Sequence, residues 1–304
     1  MKKMEFLIIT STEDKASMNI RDKLLNSKLY SFSELDSVWH GKRLFQFEGF
    51  VEKKTKNNIL SYNQIYLGLT DERLIFLDSL KLNTSKINPD LVIFASRHAS
   101  KTARPALLTH TTGNWSKEAD FGGIPYDLSL TSALLHKAAF ISLINESNKQ
   151  NLTDFSLDIE VTHHGPTSLE KPLIYMELGS SKEEWGKEKA GMVLANAIIN
   201  CIYLVLDFKM EGKEKVGLGF GGTHYAPNFN RLITNKDIAM SFICPKYFIQ
   251  ELNKEIISLM IQNTYEKIDY FIIDWKGLNS EDKKHLIPIL EGFDIPIKKT
   301  KEFD

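Results

Sequence analysis

Six apolar runs in this chain each end in a group that does chemistry. LVIFASRHAS (91–100), ALLTHTTGNW (106–115), LDIEVTHHGPT (157–167) and GLGFGGTHYAP (217–227) carry five of the eight histidines: His98, His110, His163, His164 and His224. LIYMELGSS (173–181) brings Glu177, and YFIIDWKG (270–277) brings Asp274 and Lys276. A run of Val, Ile, Leu and Phe bounded by Gly, Ser or Pro reads as a buried strand, and open α/β sheets bind ligands outside the carboxyl ends of their strands. The pattern therefore predicts one site built from six strand ends.

Strand-like runs near 5–10, 43–51, 65–69, 73–78, 91–97, 155–163, 173–179, 216–221, 238–244, 269–274 and 295–298 alternate with helical patterns near 17–26, 131–149, 182–206, 246–263 and 280–291. Such alternation predicts an α/β sandwich rather than segregated layers. The runs within 43–79 are close together and predict an antiparallel elaboration of a single domain, 1–304. VEKKTKNN (51–58) and LKLNTSKINPD (80–90) read as solvated surface loops. Ser180 and Ser181 are N-cap candidates for the helix at 182–206, and the Gly179–Ser180–Ser181 turn serves equally as a cap or as an anion cradle.

Hydrophobic residues at 42% and charged residues at 25% are those of a protein with a sizeable core, not of a disordered one. The apolar stretch 6–9 is too short for a signal peptide, and the runs predict no membrane span. These features point to the cytoplasm. Cys201 and Cys244 are too few for a disulfide framework or a cysteine zinc site and read as packed thiols. A net charge of −1 announces no nucleic-acid protein, but six of the 38 cationic side chains are arginines, and two of them, Arg97 and Arg104, flank His98. They suit a phosphate or carboxylate, or surface ion pairs.

Several histidines with carboxylates point to a divalent metal or to acid–base work, since imidazole binds metals and titrates near neutrality. On a regular strand His163 and His164 would face opposite ways, but Gly165–Pro166 can turn both to one ligand. His136 and His285 fit helix faces, and His40 has no evident place. H-E-x-x-H, C-x-x-C, G-x-S-x-G and the phosphate-loop motif are absent. Gly217, Gly219 and Gly222 match G-x-G-x-x-G, but the following THYAPNFN does not read as the helix a dinucleotide site requires.

SRHAS (96–100), LLTHTTGN (107–114), EVTHHGPT (160–167), ELGS (177–180) with Trp185, and FGGTHYAP (220–227) together resemble the D-aminoacyl-tRNA deacylases of archaea and plants. The resemblance implies a three-layer α/β/α sandwich with a mixed, phosphorylase/hydrolase-like sheet, and a zinc-dependent, monomeric esterase acting on tRNA that carries a D-amino acid. It also implies catalytic roles for His110, Glu160, His163, His164 and Glu177, and zinc ligands among His98, His163, His164 and His224. Arg97, Thr109, Thr162, Gly165, Thr167 and Gly222 would line the site, and Lys276 is a candidate for binding the tRNA substrate by its charge. Two other classes use similar strand ends or partners: a metal-dependent peptidase or nucleoside-phosphorylase-like enzyme, and a non-catalytic tRNA-binding protein.

Overall fold

The apolar run near the N-terminus needs cover on both faces, and it finds this in the middle of a sheet. In the computed structural model, which describes residues 3–52 and 63–303, β1 (Glu5–Ser11) lies between two parallel neighbours, β4 (Gln64–Thr70) and β5 (Leu91–Arg97). Beyond β4, β3 (Lys42–Phe50) and β2 (Tyr30–Trp39) extend the edge antiparallel. Beyond β5 come β8 (Leu173–Gly179), parallel, then β6 (Ala106–His110), antiparallel to it, and β7 (Ser156–Ile159). The result is a mixed eight-stranded sheet.

Helices α1 (Lys15–Leu25), α2 (Ala133–Lys149) and α3 (Glu188–Glu211) cover one face, where Ile20, Leu135, Ile198 and Ile202 meet Phe6, Ile8, Ile93 and Ile174. The opposite face, with Leu7, Ile9, Phe94 and Tyr175, is sealed by Trp39, Leu74, Leu77 and Leu80. Each such side chain stabilises the fold by about 1.5–3 kcal/mol when fully buried. The architecture is the expected α/β/α sandwich with a mixed sheet.

The strand ends do not all belong to that one sheet. β9 (Lys215–Phe220), β10 (Ile238–Cys244), β11 (Tyr270–Ile273) and β12 (Ile297–Lys299) form a second, parallel sheet of order β10-β9-β11-β12. It is flanked by α4 (Pro227–Asn235), α5 (Lys254–Gln262) and α6 (Ser280–Leu290). The two sheets are stitched together just past β7. Glu160 N–H donates to Thr109 O, Val161 N–H to His224 O and Thr162 N–H to Ile243 O, at 2.9–3.1 Å.

Four local expectations need correction. The run at 73–78 is no strand: Leu74–Phe76 is a single 3-10 turn that buries Leu74 against the sheet, so the antiparallel part consists of β2, β3 and β4. The loop expected at 51–58 is not one of the four, because it falls largely outside the described residues. The helix expected from 182 begins at Glu188, and before it lies a separate turn, Glu184–Gly186, whose Glu184 carboxylate accepts from Ser181 Oγ–H and which docks Trp185 Nε1–H on His98 O at 2.8 Å. THYAPNFN does lead into a helix, α4, whose first residue is Pro227, a position where the missing N–H costs no bond. α3 is also long and apolar enough to cross a membrane, contrary to expectation, but 72% of its apolar window is buried in the fold.

His136 sits in α2 with Nδ1–H donating to Met240 O at 3.0 Å, which ties this helix to the second sheet. Burial pushes its pKa down to about 4. In the unfolded chain the ordinary value near 6.5 returns, so its contribution is intact above pH 6.5 and is lost as pH falls toward 4. Chemical denaturation should show stability declining across that window, and His136→Gln should reduce the slope by about 1.4 kcal/mol per pH unit. An unchanged slope would refute the neutral buried imidazole.

Candidate active site

Two carboxylates lie at the bottom of the site. Glu160, just past β7, is 1% exposed, and Glu177, on β8, is 3% exposed. An ion this far from water needs charge or donors around it. His98 Nδ1, at the end of β5, stands 3.3 Å from Glu177 and 3.5 Å from Glu160. His110 Nε2, at the end of β6, is 3.6 Å from Glu177, and His224 Nε2, after β9, donates to Glu160 at 2.8 Å. Five of the six strand ends thus meet, and both sheets contribute.

The field of this cluster splits the histidines into two sets. Burial acts to depress His98 and His110, but the Glu177 carboxylate that each faces overrides it and holds both above the ordinary imidazole value. Burial, reinforced by the charge of His110, pushes His163 well below that value and His164 down to about 4. Both carboxylates are held below their usual range: burial opposes ionisation, but His224 at Glu160, and His110 and His98 at Glu177, outweigh it. At neutral pH the site therefore holds an ionised acid pair beside two neutral imidazoles.

His164 adopts φ 41°, and this turn places the two adjacent histidine rings 4.5 Å apart on one side. The Nδ1–H groups of His163, His164 and His110 donate to Val161 O, Gly165 O and Thr111 O. A carbonyl can only accept, so each bond fixes the proton on Nδ1 and leaves Nε2 to face a ligand or an acid. A donor nitrogen from each of these three residues lies within 4.8 Å of the others. The four histidines His98, His163, His164 and His224 do not form one such grouping among the described residues. His163 also converges with Glu160 and His224, and His98 with Glu160 and Glu177.

A cavity of about 500 Å³ opens onto His98, His163, His164, Glu177 and His224, with Arg97, Arg73, Asp14, Phe121 and Phe248 among its other walls. Arg97 lies over the Trp185 ring at 5.2 Å, whereas Arg104 forms an exposed ion pair with Asp158. Arg104 thus takes the ion-pair alternative, and Arg97 borders the cavity. Thr109, Thr162, Gly165 and Thr167 do not line the cavity but brace it from behind. Thr109 Oγ1 donates to Tyr175 O, Thr162 Oγ1 bonds Thr111 Oγ1 and accepts from Ile243 N–H, and Thr167 Oγ1 accepts from Ile124 N–H. Gly222, at φ 82°, stands beside Asp274, and Lys276 is exposed on the turn after β11. Neither borders the cavity.

Sequence reasoning missed Asp14 and Tyr175. Asp14 caps α1 through Ser17 N–H and also accepts from Arg97 N–H and Ser96 Oγ–H, fixing the end of β5. Tyr175 is stacked on His110, with centroids 5.0 Å apart and planes 15° apart. Its spacing of two from Glu177 on one strand put it on the same face, a signal available in the run itself. Cys201 and Cys244 are buried and free, and His285 donates to Leu252 O, as their patterns suggested. His40 packs on Trp39 and pairs with Glu72.

The family model for D-aminoacyl-tRNA deacylase matches residues 85–298. The chain belongs to this family. A D-aminoacyl-tRNA deacylase of Thermococcus onnurineus is 36% identical over 91% of this chain and 93% of its own. That of Pyrococcus furiosus is 34% identical with the same coverage, and that of Methanococcus vannielii is 31% identical over 98% of this chain and all of its own length. A crystal structure described as a conserved protein of unknown function superposes with a TM-score of 0.81 at 30% identity, covering 99% of this chain and 97% of that one. In this member of the deacylase family, the HHGP turn is wedged in place. A Cβ on Gly165 would lie 2.3 Å from Gly122 C and Gly123 N, both backbone atoms that cannot yield. Gly165→Ala should therefore lower stability by about 1–3 kcal/mol in chemical denaturation. Wild-type stability would contradict the packing.

Proposed function

We propose that the protein hydrolyses the ester joining a D-aminoacyl group to the terminal adenosine of tRNA, releasing the D-amino acid and free tRNA. Family membership supports the reaction class, and one observation carries the mechanism: ionised Glu177, with ionised Glu160 buried behind it, borders a cavity whose wall also holds the neutral pair His163 and His164. The cavity's volume suits one aminoacyl ester and its ribose. On this reading the enzyme is cytoplasmic and monomeric.

The carboxylates orient rather than accept protons, because groups held below their usual range are weak bases. Glu160 takes the Nε2–H of His224 and so makes its Nδ1 an acceptor, which receives the Tyr247 hydroxyl at 3.3 Å and would exchange that partner for the attacking water to take its proton. This is the division of labour of a histidine–acid pair in a hydrolytic triad. His98, charged by its two carboxylate neighbours, has an Nε2 without a hydrogen-bond partner, which can donate to the ester carbonyl as negative charge develops there. Arg97, on the cavity wall, suits the substrate's terminal phosphate.

The donor set fits zinc. His163 and His164 would hold it through Nε2, each oriented by its Nδ1–H bond to a carbonyl as ligating histidines are, and His110 would join them only by releasing the Nε2 proton that Glu177 now stabilises. Zinc, when bound, supplies Lewis acidity at the ester carbonyl and lowers the pKa of water from 15.7 toward about 7. His163→Ala and His164→Ala should each reduce release of D-amino acid from charged tRNA by roughly 100-fold and lower the zinc content measured by elemental analysis. Full turnover by verified metal-free protein would exclude the zinc role, and near-normal turnover in both variants would reduce the histidines to turn structure.

A further inference from the structure

The mouth of the cavity carries an aromatic side chain that nothing in the fold covers. Phe121 is 68% exposed and lines the opening, and Phe76, on the neighbouring turn, is 42% exposed. An exposed ring on a loose loop would mean little, but this loop is fixed. Asn114 Nδ2 donates to Gly122 O and Ile124 O at 2.9 and 3.1 Å, and Gly165 N–H donates to Phe121 O at 3.1 Å. Gly122, at φ 87°, presses so closely on Ile75 that a Cβ there would lie 1.7 Å from the Ile75 carbonyl oxygen. Phe121 is thus presented at a set height above the HHGP turn, one backbone hydrogen bond from His164's neighbour.

Cations lie on either side. Arg73 stacks over Phe76 at 5.1 Å and Arg97 over Trp185 at 5.2 Å, and both guanidinium groups border the cavity. Glu118 and Asp120, on the Phe121 loop, also border it and repel phosphate, which leaves the Arg73 and Arg97 sides for a phosphodiester backbone. Rings for stacking, with guanidinium groups for the backbone, are what single-stranded nucleic acids bind without sequence readout. Resting on the deacylase reading, which puts the terminal ester at the cavity floor, we propose that Phe121 is the stacking platform for a base preceding the terminal adenosine in the single-stranded 3′ end of tRNA. Arg73 and Arg97 would receive the phosphates of that segment.

The test compares wild type with Phe121→Ala, whose exposed site leaves the fold intact, on two substrates: D-aminoacyl-tRNA and the D-aminoacyl-adenosine fragment, which lacks the preceding nucleotides. Phe121→Ala should raise KM for the tRNA about tenfold, the order found when one base loses its aromatic partner. KM for the fragment should not move, and Phe121→Trp should restore the value for tRNA. A KM for tRNA within twofold of wild type, or an equal rise for the fragment, overturns the platform while leaving the deacylase reading intact. A wild-type protein that releases no D-amino acid sinks the deacylase reading instead. The platform is then judged by fluorescence anisotropy of a labelled CCA-ended single-stranded oligonucleotide, which Phe121→Ala must bind about tenfold more weakly.

Discussion

Glu160 and Glu177 are ionised although almost wholly buried, and most of the site's geometry answers that fact. Isolated carboxylates so deeply buried would take up protons, so each needs cationic or donating neighbours. His98 stands between the two, His110 serves Glu177 and His224 serves Glu160. These three histidines come from the ends of different strands, and His224 belongs to the second sheet. The bonds from residues 160–162 to both sheets hold that convergence in register.

The same charges explain why the adjacent histidines differ from their neighbours. Once His98 and His110 share the acids' field, His163 and His164 are left with burial and the repulsion of His110, and both stay neutral. Their Nδ1 protons are committed to the carbonyls of Val161 and Gly165, and their rings stand together because residue 164 takes a left-handed conformation and Gly165 leaves no room for a side chain. Scaffold threonines and glycines therefore matter to the chemistry without bordering the cavity: they set the height and tilt of imidazoles that do.

Much of this was legible in the sequence. Apolar runs ending in histidine or glutamate located five strand ends correctly, and Gly165–Pro166 signalled that both histidines could turn one way. Edge strand β2 was not legible, because its sequence, YSFSELDSVW, is mostly half-buried or exposed and lacks the continuous apolar run of the central strands. Helix α4 was hidden by the proline and asparagines at its start. Two separate sheets could not be distinguished from one, since register and pairing depend on contacts between residues far apart in the chain. Which nitrogen of each histidine meets an acid, and so which histidines can gather round a ligand, is likewise a property of rotamers, set by neighbouring carbonyls together with carboxylates from other strands. Asp14 illustrates the same limit, as an unremarked helix cap that also fixes the end of β5.

The central claim is that the buried acid pair organises a site for hydrolysing D-aminoacyl esters. It is tested most directly by deacylation rates of tRNA charged with the D and the L form of one amino acid, measured side by side for wild type and Glu177→Gln. The amide keeps the size of Glu177 but removes the charge that His98 and His110 face. The account predicts that wild type hydrolyses the D ester and spares the L ester, and that Glu177→Gln, still folded, loses roughly 100-fold or more of the D-specific rate. A Glu177→Gln protein that matched wild type, or a wild type that did not distinguish the two esters, would contradict it.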